Sequence, residues 1–124
     1  MAIPSGGGSE VLKRATLHGV NGANTLLING SDADTIRIVT SLIICEQGVA
    51  AETVDVFVSI GGTAISNPPT DASVRFLLKA QAIGANETFV FNDRFVLEGL
   101  DDLYVWNSSG NVDYYCTYIE QDWT

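Results

Sequence analysis

The chain has 124 residues, 46% hydrophobic and 17% charged, with fifteen acidic against six basic side chains and a formal charge of −9. That is one domain's worth of chain, long enough to bury a core without metal or disulfide staples and too apolar for a disordered tail. The acidic balance argues against nucleic acid or an anionic membrane surface as partner, and leaves solubility through self-repulsion, a basic partner or dense packing on a scaffold.

Residues 1–10 are rich in Gly and Ser, lack periodicity and read as a flexible N-terminal arm. No basic start or apolar stretch marks a signal peptide, so the expectation is a chain made in the cytoplasm, or one whose leader has been removed. No apolar run approaches the ~18 residues of a membrane span.

Residues 11–124 read as a single all-β domain. Val11, Lys13, Ala15 and Leu17 alternate with Leu12, Arg14 and Thr16 in a first strand. A turn at Asn21–Asn24 leads to a short strand at Thr25–Ile28, and Asn29-Gly30-Ser31-Asp32 turns the chain again. Thr35–Glu46 is the longest run. Strict alternation puts Ile36, Ile38, Thr40, Leu42 and Ile44 on one face, with Arg37, Val39, Ser41, Ile43 and Cys45 on the other. Both faces are partly apolar, which suits a central strand or one covered on both sides.

Thr53–Ile60 sets Val54, Val56, Val58 and Ile60 inward and Asp55 and Ser59 outward. Phe57 breaks the outward polarity and is a candidate contact. A loop follows through Asn67-Pro68-Pro69. Ser73–Ile83 contains helix-favouring residues, yet Val74, Phe76 and Leu78 alternate with Arg75, Leu77 and Lys79, and the segment reads as a strand. Thr88–Phe91 and Phe95–Leu97 bracket a tight turn; Leu103–Trp106 and Val112–Ile119 bracket another. Eight or nine short strands with such turns predict a β-sandwich of Greek-key or jelly-roll type.

No catalytic constellation emerges. His18 is the only histidine, no G-x-S-x-G elbow accompanies it, and an ordinary edge histidine is expected. Asp32-Ala33-Asp34 opens like a calcium loop, but Ile43 stands where the bidentate Glu belongs. The Asp101-Asp102 pair reads as charge at the start of a strand. Gly6-Gly7-Gly8 and Gly61-Gly62 lack the lysine of a phosphate loop. Two distant cysteines and one histidine exclude zinc, so no metal and no cofactor are expected. Cys45 and Cys116 are expected as free thiols. Asn29, Asn86 and Asn107 open glycosylation-type triplets that turn chemistry explains. Asp113-Tyr114-Tyr115-Cys116 imitates the second cysteine of an immunoglobulin domain, but no tryptophan follows Cys45 at the required place. Tyr104, Trp106, Tyr114, Tyr115, Tyr118 and Trp123 suggest core or subunit contact before sugar stacking.

The two ends carry a resemblance. Ser5-Gly6-Gly7-Gly8-Ser9-Glu10-Val11-Leu12-Lys13-Arg14 resembles the opening of small virion proteins of tailed bacteriophages, and Tyr115-Cys116-Thr117-Tyr118-Ile119-Glu120-Gln121-Asp122-Trp123 is similar to their close. The resemblance covers only these ends. It implies a non-enzymatic capsid decoration (cement) protein on the virion surface, partnered by the major capsid protein and by its own copies as a dimer or trimer. Ile3, Pro4 and Val11 are then candidates for capsid contact, and Phe57, Phe89 and Trp123 for subunit contact. A low-copy tail, adaptor or head-fibre component is the alternative, as is a glycan- or receptor-binding module.

Overall fold

The computed structural model describes residues 9–18, 22–108 and 111–122, with side chains from residue 10 onward. Nine strands follow in chain order: β1 (Ser9–His18), β2 (Thr25–Ile28), β3 (Thr35–Glu46), β4 (Glu52–Ser59), β5 (Val74–Ile83), β6 (Thr88–Phe91), β7 (Phe95–Glu98), β8 (Asp102–Asn107) and β9 (Val112–Asp122). Their pairing is nested. β1 pairs with β9, β2 with β8, β3 with β6 and β7, and β4 with β5, all antiparallel. The chain is thus one long hairpin, rolled so that β9 also pairs with β3 and β8 with β4. Two sheets result, β1-β9-β3-β6/β7 (sheet A) and β2-β8-β4-β5 (sheet B). This is a jelly roll. Strand β1 begins at Ser9, so Ser9 and Glu10, assigned to the arm from sequence, belong to the sheet.

The sandwich closes on Val39, Leu42, Ile44, Tyr114 and Cys116 from sheet A and on Val54, Val56, Leu103 and Val105 from sheet B, all buried. Each side chain of this size contributes about 1.5–3 kcal/mol on burial. Val54, Val56 and Val58 point inward as their alternation predicts. Ile60 does not: β4 stops at Ser59, a 3-10 turn spans Ile60–Gly62, and the Ile60 side chain is exposed.

Strand β3 also departs from strict alternation. Its register with β9 runs from Thr35 opposite Asp122 to Val39 opposite Tyr118, skips Thr40, and resumes with Ser41 opposite Thr117. The extra residue inverts the facing of everything beyond it. Arg37 and Val39 are therefore buried before the bulge, and Leu42 and Ile44 after it. Thr40 secures the bulge by donating its hydroxyl to the Thr117 carbonyl oxygen at 3.0 Å. A second irregularity lies in β5, where Ala80 takes a positive φ of 52° and its N–H donates to Asp55 Oδ1 at 2.6 Å.

Phe57 points outward from sheet B, yet it is fully buried. Its ring stacks on Tyr104 (centroids 5.5 Å apart, planes 9° apart) and tilts against Phe76 at 5.3 Å. Lys79 Nζ then lies 4.4 Å from the Phe76 ring centroid. The ring is roofed by its own cross-strand neighbours, so the surface it was expected to offer a subunit belongs to Phe76.

Several of the buried polar groups are paired with one another or with backbone N–H groups. The Tyr114 hydroxyl donates to Asn107 Oδ1 at 2.9 Å, and Asn107 Nδ2 donates to Glu52 Oε1 at 3.0 Å. Burial, helped by the charges of Glu52 and Asp55, holds the Tyr114 phenol well above its ordinary range and keeps it a donor. Glu46 Oε1 accepts from the Gly48 N–H and Oε2 from the Asn86 N–H. Gly30 packs against the 98–101 turn, where a Cβ would lie 2.4 Å from the Leu100 carbonyl carbon, and its N–H donates to Asp102 Oδ1 at 2.6 Å. Cys45 and Cys116 are free thiols on neighbouring strands of one sheet, unlike the inter-sheet bridge of an immunoglobulin domain.

One charged cluster ties three strands together. Arg37, 4% exposed, donates through Nε to Glu120 Oε2 at 3.1 Å and through an Nη1 hydrogen to the Gly99 carbonyl at 3.2 Å. Lys13 Nζ reaches Glu120 Oε1 at 2.8 Å. The hydrogen bond from Lys13 is the main cause that lowers the Glu120 carboxyl below its ordinary range, against an opposing effect of burial. Its folded-state stabilisation is therefore full above the unfolded carboxyl range, about pH 4.3, and is lost as pH falls through the depressed folded value. Glu120→Ala strands a buried guanidinium and is expected to cost about 2–3 kcal/mol. Lys13→Ala removes a solvent-screened partner and should cost about 0.5 kcal/mol. Urea unfolding at neutral pH measures both, and an equal loss in the two variants contradicts the assignment. Burial pushes the Cys116 thiol up to about 12, whereas Cys45 is half-buried. Iodoacetamide at about pH 8 should therefore label Cys45 in the folded protein and spare Cys116 until denaturant is added, as read by peptide mass spectrometry.

Candidate assembly surface

The pairing register places apolar side chains side by side on the outer face of sheet A. Leu12 lies opposite Ile119, Ile119 opposite Ile38, and Ile38 opposite Val96, a row crossing β1, β9, β3 and β7. A second row runs Thr16, Tyr115, Ile43 and Val90 across β1, β9, β3 and β6. Between them sit Arg14, Thr117 and Ser41. Leu12 is 73% exposed, Val96 58% and Val90 46%, and Tyr115 and Ile43 are also exposed. Leu12, Arg14, Tyr115 and Thr117 line a shallow groove of about 340 Å³. Scattered exposed hydrophobics need no explanation, but contiguous rows across four strands make this face the candidate contact surface.

These rows carry no carboxylate; their one charge is the central Arg14. Acidic groups border them: Glu10 and Glu98 toward one end, Asp113 toward the other. On a chain of net charge −9, this is where an apolar or acidic partner meets least repulsion.

The residues nominated from sequence fall differently. Ile3, Pro4 and Trp123 lie outside the described residues. Val11 is an exposed residue of β1, opposite Glu120. Phe57 is buried, as above. Phe89, opposite Ile44, is half-buried and packs against the core, and its neighbour Val90 is the more exposed one. Sequence reasoning passed over Leu12, Val90 and Val96, and named Tyr115 only among the aromatics expected in core or subunit contact. The two-sided apolarity of β3 was the available signal, since β3 is central in sheet A and its outward Ile38 and Ile43 belong to the rows.

The polar candidates have structural duties. His18 Nδ1 is bound by Asp113 Oδ1 at the exposed end of β1, and Gln47 Nε2 donates to Asp113 Oδ2 at 3.0 Å. Asp32 Oδ1 accepts from the Asp34 N–H in a local turn. Asp101 accepts from the N–H groups of Gly61 and Glu98, and Asp102 accepts from Gly30. Asn107, the third glycosylation-type asparagine, is fully buried. Among the described residues, no group of three or more His, Cys, Asp or Glu side chains comes together to hold a metal.

No protein-family model matches the chain, and no curated protein matches it in sequence. Among solved structures, a protein of the Bacillus endospore appendages, described as a novel family of disulfide-linked pili, is similar with a TM-score of 0.55. The identity is 9%, and the match covers 100% of this chain and 97% of that one. Weaker matches are to the T13 particle of infectious bursal disease virus (TM-score 0.48, 10% identity, 93% of this chain and 36% of that one) and to the Tobacco streak virus coat protein dimer (0.43, 16%, 98% and 89%). At such identities the likeness is one of fold: a single jelly roll, matched over its whole length.

Proposed function

We propose that the chain is a non-enzymatic structural subunit of a virion, specifically a decoration protein that coats the capsid by binding the major capsid protein lattice together with its own copies. One observation carries the reading: the acid-free apolar rows across the outer face of sheet A. A lattice-bound protein must bring many copies of an acidic chain close together. A face without carboxylates gives them an approach with little repulsion, and burying its hydrophobics at about 25 cal/mol per Å² supplies the driving force. The resemblance of the two ends to small virion proteins of tailed phages supports the same assignment. A second reading, a subunit of an extracellular filament, draws on the whole-length likeness to the endospore appendage protein.

Quantitative mass spectrometry of purified virions from the source tests the proposal. Copies near those of the major capsid protein are expected. A handful of copies moves the protein to a tail, adaptor or head-fibre position, and absence from the particle overturns the virion assignment.

Two variants test the surfaces. Leu12→Glu combined with Val96→Glu should leave the melting temperature within a few degrees, because both side chains are solvent-exposed. The same pair should abolish co-sedimentation with capsids and lower the mass seen by light scattering. Deletion of residues 1–8, which precede β1, should likewise preserve the fold and abolish capsid binding if the arm threads the lattice; unchanged binding rules the arm out.

A further inference from the structure

The outer face of sheet B holds a cleft of a different kind. It encloses about 340 Å³, at the small end of ligand sites, between the Trp106 ring and the Pro68–Pro69 segment, with Asp55, Lys79 and Asn67 around it. Trp106 faces outward because Leu103 and Val105 of the same strand are core residues. It lies directly opposite Asp55 in the β4–β8 register, so their Cβ atoms are about 5 Å apart.

The polar groups around the ring have capacity to spare. Asp55 Oδ1 is committed to the Ala80 N–H, but the nearest cation to Oδ2 is Lys79 Nζ at 3.9 Å, beyond hydrogen-bond reach. Lys79 is exposed, and its ammonium has three donors. Asn67 Nδ2 makes one long hydrogen bond, 3.4 Å, to the Gly22 carbonyl. The Trp106 indole N–H has no acceptor among the described residues.

We propose that this cleft binds a neutral sugar, a hexopyranose that stacks one apolar face on the Trp106 indole. A pyranose chair, with a C–H-bearing face and hydroxyl groups around its edge, needs an aromatic surface with both donors and acceptors at its rim. The cleft presents a carboxylate acceptor, an ammonium donor, an amide that is both, and an indole donor. Four polar groups make a wholly apolar ligand a poor fit, because each loses water without a replacement hydrogen bond. The charge of −9 and the Asp55 carboxylate disfavour acidic sugars and phosphates. A polyproline segment would need a line of exposed rings, whereas Phe57 is buried and Tyr104 is stacked on it. The site lies on the sheet opposite to the assembly rows, so it stays open when that face is covered.

The test is an NMR titration of the intact protein in a Trp123→Phe background, so that a single indole N–H reports. Methyl α-glucopyranoside, methyl α-mannopyranoside and methyl β-galactopyranoside serve as probes, with a proline-rich decapeptide as the contrast. At least one glycoside is expected to shift the Trp106 indole resonance saturably, with a dissociation constant of about 1–10 mM. Trp106→Ala should weaken binding at least about tenfold, as read from the backbone amides of Asp55, Asn67 and Lys79, which line the cleft, and Asn67→Ala on the exposed loop should weaken it severalfold without touching the core. No saturable shift with any glycoside, binding unchanged in both variants, or saturation by the decapeptide alone overturns the proposal.

Discussion

Everything in this fold depends on β9 being paired on both sides. It joins β1 to β3, and so brings the first strand beside the last and closes the rolled hairpin. Closing a loop of this length has an entropic cost that grows only slowly with length, but it must be met before any of the contacts it permits can form. The side chains of β9 offset that cost from both faces. Tyr114 and Cys116 anchor the core, Tyr115 and Ile119 supply the outer rows, and Glu120 bridges Lys13 and Arg37 across all three strands.

The two outer faces answer the same problem in opposite ways. Both sheets carry large apolar side chains outward. Sheet B covers its own, by stacking Tyr104 and tilting Phe76 over Phe57 and by setting Lys79 above the Phe76 ring. The 60–73 loop is fastened beside this face: Ser66 binds Asp71 and accepts from Asn24 through its carbonyl. Sheet A has no equivalent cover among the described residues. Leu12 on β1, Val90 on β6 and Val96 on β7 stand in water on the flanking strands of this sheet.

Most strands were legible in the sequence because alternation and turn chemistry are local signals. Val54, Val56 and Val58 declare their facing without any knowledge of their partners. Thr35–Glu46 was legible in extent but not in facing, because a single skipped residue at Thr40 inverts the pattern and nothing in Arg37-Ile38-Val39-Thr40-Ser41 announces where the skip falls. Phe57 was read correctly as outward and wrongly as exposed. Its cover comes from Phe76 and Tyr104, residues of other strands whose placement only the pairing decides. The assembly rows were hidden for the same reason. Leu12 and Val96 are remote in sequence and fall into one row only through β9 and β3. The Trp106 cleft likewise draws on separate segments, among them β4, the 67–69 loop, β5 and β8, and no local pattern in any of them hints at a site.

The antiparallel register of β1 and β9 has a mechanical meaning. Ser9 stands opposite Asp122, so the two strand ends leave the molecule at the same pole. Tension that draws these ends apart opens the pairs one at a time, as a zipper, instead of shearing a whole row of hydrogen bonds at once. The third pair from that mouth is Val11 with Glu120, and there the carboxylate grips Lys13 on one strand and Arg37 on another. The ion cluster is therefore a latch set just inside the opening, at the place where peeling begins.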